Sequence, residues 1–380
     1  MPTAREKELA SARITDHFVE LTDPRRRKVT YPLINIVTIA LCAVVCGADD
    51  FVSIAEYGEK KKKWLAQFLD LSAGIPSHDR FNAILGALNP AEFEKCLLSW
   101  ITALHEITEG QLVAIDGKML RRSFDAASSK AAIHMVSAWA AANHISLGQV
   151  VVDEKSNEIT AIPKLLEILA ISGCLVTIDA MGCQTEIAEQ IVAAEADYVL
   201  AVKGNQPTLH EGVAQFFLDH LEDDFDRVKV SRYQTEERGH GREETRTYYV
   251  CPVPDDLPDR RRWKKLTSIG IAINDTLRAG KQTSEVRYYI LSRKLSAKNF
   301  AGAVRGHWSI ENQLHWQLDV TFGEDQSRVR KGHADANFSI LRRAALSLLK
   351  NNHTLKVGVK NKRLAAGWDD DYLAQVLCGT

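Results

Sequence analysis

Two aspartates stand at the same kind of place in the sequence, directly after short apolar runs rich in β-branched residues. The runs read LVAIDGK and LVTIDAM, and the aspartates are Asp116 and Asp179. Each run is typical of a buried strand, and side chains at strand ends open onto the edge of a sheet, where ligands gather. The separation of 63 residues (179 − 116) leaves room for hairpin strands and one crossover helix, so the two strands can be neighbours. We therefore expect both carboxylates to lie within reach of one cation.

A third acid, Glu311, lies in the segment HWSIENQLHW, between two tryptophans and two histidines. As a helix over residues 307–318, this segment would place Glu311 and His315 on one face, beside an apolar stripe. The stripe would consist of Ile310, Leu314 and Leu318. An isolated buried carboxylate is costly, but one that coordinates a divalent metal ion is not. The segment therefore predicts an acid that faces the edge of the sheet.

Three convergent carboxylates suit Mg²⁺, which prefers oxygen ligands, and two such ions can clamp the attacking and leaving oxygens of a displacement at phosphorus. We therefore expect Asp116, Asp179 and Glu311 to be metal ligands and catalytic residues, with two Mg²⁺ ions for which Mn²⁺ can substitute. Each acid alone also has a simpler interpretation. An aspartate after a strand is common turn chemistry, and Glu311 can form a salt bridge with a nearby arginine such as Arg305.

The elements around the acids predict an α/β fold. From residue 112 to residue 203 the hydrophobic pattern gives the order β-β-β-α-β-α-β, in which antiparallel neighbours and helical crossovers predict a mixed sheet flanked by helices. This is the strand order of a ribonuclease-H-like core. The expected strands cover residues 112–116, 133–141, 145–153, 174–179 and 198–203, and the expected helices cover residues 160–170 and 184–194.

The pattern divides the whole chain into five parts, which we expect to be two halves of the core with additions before, between and after them. They are a helical N-terminal domain (1–105), the first part of the core (106–206), a β-rich insertion (207–300), the C-terminal helices of the core that carry the glutamate (301–350), and a basic, polar tail (351–380).

The overall charge neither indicates nor excludes a polyanionic partner, because 48 basic and 49 acidic residues give a formal net charge of −1. Local basic clusters at 23–28, 60–63 and 259–265 must therefore carry any affinity for a polyanion. The longest apolar run, residues 33–47, is shorter than the roughly 20 residues that a membrane-spanning helix needs, so we expect a buried helix and no membrane partner. Seven cysteines without paired spacing and an N-terminus without a secretory pattern indicate a cytoplasmic protein.

Several long segments together carry a family resemblance. They are AIDGKMLRRS, HMVSAW, TIDAMGCQ, ADYVLAVKGNQP, RGHWSIENQLHWQLDVTFGEDQSRVR and ANFSILRRAALSLL, preceded by DPRRRKVTYPL and IPSHDRFN. With these segments the chain resembles, over nearly its whole length, the DDE transposases of the ISAs type, also known as H-repeat-associated proteins. The resemblance implies a ribonuclease-H-like core, a divalent metal, and DNA cleavage and strand transfer at the ends of a mobile element. It also implies that the acidic triad is Asp116, Asp179 and Glu311.

The residues around Glu311 differ from those of broader transposase relatives. Broader transposase relatives carry a Tyr, an Arg and a Lys around this glutamate, and the corresponding positions here hold Val304, His307 and Leu318. The phosphate contacts that those three residues make in the relatives therefore cannot be transferred to this chain. His307 is the one candidate substitute.

DNA phosphates repel a bare carboxylate cluster, so cations must stand near the acids. We expect DNA contacts from residues that follow the elements at this edge, although each alone also fits a solvated charge: Lys118, Arg121, Lys203, Asn205, His307, His315, Arg328 and Arg330. The expected partner is double-stranded DNA, as target DNA and as terminal inverted repeats, which either the N-terminal domain or the basic segment 259–265 would bind. The resemblance further implies a bacterial protein, associated with the nucleoid when bound to DNA. Because an element has two ends, we expect a homodimer in the active complex.

Two other classes of function remain open at this point. A ribonuclease-H-like nuclease would cut DNA but never join it, and a strand-transfer assay separates it from a transposase. An inactive remnant or a sequence-specific DNA-binding protein would need no metal, and metal titration identifies it.

Overall fold

The computed structural model describes residues 13–26, 29–104, 111–119, 134–152, 157–239 and 241–379, and a mixed sheet lies at the centre of this part of the chain. Its strands are β1 (Leu112–Met119), β2 (His134–Ala140), β3 (Ile145–Val152), β4 (Leu175–Ile178), β5 (Asp197–Val202), β6 (Ser231–Gly239), β7 (Arg242–Pro252), β8 (Ser268–Arg278) and β9 (Lys281–Leu291). The spatial order is β3-β2-β1-β4-β5-β9-β8-β7-β6. The β1–β4 and β4–β5 pairs are parallel, and the other neighbouring pairs are antiparallel.

Helices cover both ends of the chain and connect the parallel strands. They are α1 (Ile14–His17), α2 (Leu33–Val45), α3 (Phe51–Lys60), α4 (Lys62–Leu65), α5 (His78–Leu85), α6 (Pro90–Leu104), α7 (Glu158–Ile168), α8 (Thr185–Ala193), α9 (Pro207–Glu222), α10 (Ala297–His307), α11 (Trp316–Val320), α12 (Ala334–Asn351), α13 (Val359–Trp368) and α14 (Asp370–Leu377). A π-helical turn, Ile310–His315, precedes α11. Short 3₁₀ turns occur at Arg260–Arg262 and Glu324–Gln326.

The predicted order β-β-β-α-β-α-β is confirmed between β1 and β5. Helix α7 connects β3 to β4, and α8 connects β4 to β5. All four residues of β4 are buried, which fits a parallel strand covered on both faces. The fold is therefore the expected mixed sheet flanked by helices, consistent with a ribonuclease-H-like core.

Residues 207–300, expected as a β-rich insertion, continue the same sheet after one helix. Strand β9 pairs with β5, from Val199↔Leu291 to Val202↔Tyr288, and β8, β7 and β6 follow outwards. The sequence pattern missed both α9 and β6. The insertion is therefore a wide extension of the core sheet.

Helix α10 lies across one face of this extended sheet, where it contacts β1, β4, β6 and β7. Phe300 on α10 is fully buried, and a Cβ atom at Gly270 of β8 would lie 2.7 Å from its ring. The close approach of α10 to the sheet therefore requires a residue without a side chain at position 270. This packing determines where the chain leaves α10 and enters the segment of Glu311.

The helices of the N-terminal region pack around α12. The predicted buried helix is α2, in which every residue from Asn35 to Val45 is buried, and α12 contacts both α2 and α6. Within the described ranges, no helix combines the length and the apolar character that crossing a membrane requires.

The segment expected as a tail carries α13 and α14, which pack on the rest of the chain. Leu373 and Val376 are fully buried. The buried Arg363 donates hydrogen bonds to the Val44 carbonyl and the Asp49 carboxylate, both at 3.0 Å. The sequence pattern did not predict these two amphipathic helices, because charged residues are mixed among the apolar ones.

A buried charge network joins β1 to the C-terminal helices. The Glu324 carboxylate is fully buried and accepts hydrogen bonds from Lys118 Nζ at 3.0 Å, Arg343 Nη1 at 3.2 Å and Ser339 Oγ at 2.7 Å. Lys118 Nζ also donates to Asp319. Burial acts to raise the pKa of Glu324, but the charges of Arg343 and Lys118 outweigh it and hold that pKa well below its usual range.

We predict that Glu324→Gln lowers the free energy of unfolding by about 3–5 kcal/mol, because it leaves two buried cations without their shared counter-charge. Urea unfolding followed by circular dichroism at pH 7 measures this loss. The exposed Glu59→Gln is the matched control and should change stability by less than about 0.5 kcal/mol. Equal midpoints for the two variants would contradict the role assigned to the network.

Candidate active site

Asp116 and Asp179 lie side by side because β1 and β4 are parallel neighbours. The last pair in their register is Ile115↔Ile178, and the next residues are the two aspartates. Adjacent strands lie about 4.8 Å apart, so the two side chains start from neighbouring positions at one end of the sheet. One expectation needs correction, since β1 does not end at Asp116 but continues to Met119 in its antiparallel pairing with β2. Only the parallel pairing ends there.

Asp116 is a mostly buried carboxylate among like charges. Its side chain is 20% exposed, and His315 Nδ1 lies 3.5 Å from Asp116 Oδ2. Burial raises the pKa of Asp116 to about 7, and the charges of Asp179, Glu158 and Glu311 add to this rise against a hydrogen bond from the Gly117 backbone. The four carboxylates therefore act on one another electrostatically.

His315 gives Asp116 no compensating positive charge. Its side chain is buried, and burial, together with the charges of Arg343 and Lys118, lowers the pKa of His315 to about 3. The imidazole is therefore neutral at pH 7. This burial removes His315 from the expected DNA contacts.

Asp179 is fixed by the loop that follows β4. Its Oδ1 accepts hydrogen bonds from the backbone N–H groups of Met181 at 3.1 Å and Gly182 at 3.4 Å. Asn205 Nδ2 donates to the Ala180 carbonyl at 2.7 Å and braces the same loop. Asn205 thus supports the position of Asp179, whatever it also contacts.

Glu311 lies on the π-helical turn. The expected helix over 307–318 forms with an irregularity, because α10 ends at His307 and a π-helical turn, Ile310–His315, leads into α11. π-Helical turns are rare and occur frequently at functional sites. The apolar stripe is nevertheless confirmed, since its three residues are fully buried: Ile310, Leu314 and Leu318.

Glu311 itself belongs to the exposed side of the turn, so it is not the deeply buried acid that the sequence indicated. Partial desolvation raises the pKa of Glu311, and the charge of Arg287 opposes this rise. The alternative salt bridge with Arg305 does not form, because Arg305 Nη1 pairs with Glu237 Oε1 at 2.5 Å.

The expected DNA contacts fall into different environments. Lys118 is buried between Asp319 and Glu324, so its charge is not presented to DNA, and that expectation is corrected. Lys203 and Arg328 are exposed, and Arg330 is half-buried. Arg121 lies outside the described residues.

His307, the candidate substitute for a missing cation, is packed beneath the turn. Its Nδ1 lies 3.2 Å from Thr177 Oγ1 on β4, and burial lowers the pKa of His307 to about 4. A neutral imidazole at pH 7 cannot replace the charge of an arginine.

The sequence pattern missed two residues near the acids, Glu158 and Arg287. Glu158 is the first residue of α7, and its carboxylate lies 2.7 Å from His134 Nε2. It also lies so close to β1 that a Cβ atom at Gly117 would overlap it. Arg287 on β9 stacks on Trp308. No local signal identifies these residues, because each reaches the site through pairing or packing between distant segments.

The carboxylate oxygens of the acids are ligands of the type that a hard divalent cation prefers. Within the described ranges, no three His, Cys, Asp or Glu side chains are grouped closely enough to form a metal site. The charges that raise the pKa of Asp116 are nevertheless carboxylates, and a divalent cation would turn their mutual repulsion into attraction. Oxygen donors of this type fit Mg²⁺ or Mn²⁺ better than softer metals.

Comparisons with known proteins match most of this chain to transposases and to family models of transposases. Residues 107–348 match the family model described as "Transposase DDE domain", and residues 15–101 match the model described as "DDE_Tnp_1-associated". The chain is 40% identical to "H repeat-associated putative transposase YhhI" of Escherichia coli (strain K12), over 97% of this chain and 98% of the relative. It is 41% identical to "Putative transposase YncI" of Escherichia coli O157:H7, over 96% and 94% respectively.

The raised pKa of Asp116 predicts a pH-dependent stability. Between the ordinary pKa of 3.8 and about 7, the folded chain holds a proton on Asp116 that the unfolded chain has lost. The free energy of unfolding therefore falls as the pH rises through this window. Asp116→Asn removes this penalty, so the variant should be more stable than the wild type by about 1–3 kcal/mol at pH 7.5 and nearly equal to it at pH 4.

Urea unfolding at both pH values with EDTA present measures this difference. The exposed Asp79→Asn on α5 serves as the control and should follow the wild type at both pH values. A wild type that becomes more stable than Asp116→Asn as the pH rises would contradict the repulsion described for Asp116.

Proposed function

The chain belongs to the DDE transposases of the H-repeat-associated type, and from this premise we propose that it cuts DNA at the ends of an insertion sequence and joins them to target DNA. The proposal is supported by the pairing of β1 with β4, which places Asp116 and Asp179 directly after neighbouring residues of the two strands. The charges of Asp179 and Glu311 act on Asp116, which is the electrostatic condition for a shared cation site.

In the proposed site, Asp116, Asp179 and Glu311 would hold two divalent ions: Asp116 would contribute to both, Asp179 to the first and Glu311 to the second. When bound, Mg²⁺ or Mn²⁺ would supply a nucleophile at neutral pH and stabilise the leaving oxygen. The chain contributes by orienting the three carboxylates. The backbone N–H groups of Met181 and Gly182 fix Asp179, and the π-helical turn carries Glu311. No side chain forms a covalent bond to DNA.

We propose that the DNA backbone contacts cations at two places, one beside Asp179 and one next to the N-terminal helices. Lys203 directly follows β5, the parallel neighbour of β4, and lines a small cavity together with Asp179. Arg328 and Arg330 line a separate cleft of about 840 Å³, which they share with residues of the N-terminal helices such as His78 and Asn82. This shared cleft supports a role of residues 1–105 in binding the DNA ends.

Two copies of the chain would serve the two ends of one element, so we propose a homodimer as the active complex. Each copy would then contribute one set of the three acids.

Cleavage should depend on each acid. On a supercoiled plasmid that carries the gene with its flanking DNA, we predict that Asp116→Asn, Asp179→Asn and Glu311→Gln each lower Mg²⁺-dependent nicking and joining by at least about 1,000-fold, as expected when transition-state charge stabilisation is lost. Gel electrophoresis of the products measures both steps. DNA binding in a mobility-shift assay should persist, because each variant removes a negative charge.

Glu186→Gln, on the exposed face of α8, is the matched control and should nick and join like the wild type. Full nicking by any of the three variants would remove that acid from the site. Nicking without joined products by the wild type would identify a nuclease, and metal-independent binding without nicking would identify an inactive DNA-binding remnant.

A further inference from the structure

The segment of Glu311 carries no cation of its own. Residues 307–318 contain neither lysine nor arginine. Of the two histidines in this segment, His315 is buried, and His307 Nδ1 lies 3.2 Å from Thr177 Oγ1 on β4. A phosphodiester that approaches Glu311 would therefore meet an acid without a local positive charge. A cation from another element must fill this place.

Arg287 reaches this place from β9. Its position in the register, opposite Ala272 of β8, puts it two residues before the buried Tyr289, which packs against Phe300 of α10. Arg287 therefore lies on the face that α10 covers, at the point where α10 ends. Its guanidinium carbon stands 4.3 Å from the centre of the Trp308 ring, three residues before Glu311.

The guanidinium is held in place while part of it stays open to solvent. Its Nε and Nη2 both donate to Glu285 Oε1, at 2.8 and 2.7 Å, and Tyr289 shares a hydrogen bond with it. The side chain of Glu285 is 56% exposed, so this same-strand pair contributes little energy and can exchange for a stronger anion. Stacking on Trp308 orients the planar fork without using its hydrogen-bond donors.

Arg287 faces two separate spaces, and one of the acids lines each of them. It lines a cleft of about 710 Å³ together with Glu311, and it also lines a cavity of about 70 Å³ together with Asp179 and Lys203. No other arginine or lysine among the lining residues belongs to both spaces.

We infer that Arg287, oriented by Trp308, binds a backbone phosphate of the DNA end beside the acids. Arginine suits this task because its fork donates two parallel hydrogen bonds to phosphate oxygens. The inference rests on the proposed function for the identity of the DNA, but the contact itself requires no cleavage.

The test measures equilibrium binding, without divalent metal, to a fluorescent 30-base-pair duplex taken from the DNA that flanks the gene. We expect Arg287→Gln to weaken binding roughly 10-fold or more and to lower the salt slope by about 1. Arg287→Lys should restore most of the salt slope but only part of the affinity, because lysine keeps the charge and loses the fork. Arg278→Gln, at the exposed end of β8 in the same sheet extension, is the matched control and should bind like the wild type.

A series of duplexes with one neutral methylphosphonate each locates the contact. One substitution should weaken binding of the wild type but leave binding of Arg287→Gln unchanged, since the two changes remove the same interaction. Arg287→Gln with wild-type affinity, or an equal loss in Arg278→Gln, would overturn the inference. A wild type that shows this pattern and yet never nicks the plasmid would contradict the proposed function and leave the phosphate contact standing.

Discussion

Asp116 lies where burial and three like charges act on one carboxylate. The parallel pairing of β1 with β4 places Asp179 beside it, and the π-helical turn brings the charge of Glu311 within reach. Burial and, to a smaller extent, this repulsion raise the pKa of Asp116 and destabilise the folded chain at neutral pH, so the surrounding packing must oppose them. Such an arrangement benefits a protein that binds divalent cations, because a bound cation reverses the sign of the interaction.

The packing that opposes this repulsion comes from segments far apart in sequence. Glu324 holds Lys118 of β1 and Arg343 of α12 in one buried network, which fixes the chain on the far side of the π-helical turn. On the near side, α10 rests on the sheet extension through Phe300 over Gly270. The extension thus does more than widen the sheet. It supports the helix that leads to Glu311 and supplies Arg287 beside that acid.

The core and its two aspartates could be predicted from sequence because buried parallel strands have continuous apolar runs, and their ends are visible in the local pattern. The residues that surround these aspartates could not be predicted from sequence. Lys118 directly follows the strand acid and resembles a DNA contact, but its partner Glu324 lies 206 residues away. Arg287 enters the site only because β9 pairs with β5, and local periodicity does not encode which distant strands pair. The π-helical turn likewise has the composition of an ordinary amphipathic helix.

The central claim is that Asp116, Asp179 and Glu311 hold divalent cations when DNA is bound. A crystal structure of the complex with a DNA end, soaked with Mn²⁺ and measured at the manganese absorption edge, tests this most directly. The account predicts anomalous peaks bound by carboxylate oxygens of all three residues, with Asp116 shared between two ions, at metal–oxygen distances of about 2.0–2.2 Å. Manganese bound elsewhere on the chain, or a site that leaves Glu311 without a contact to either ion, would contradict it.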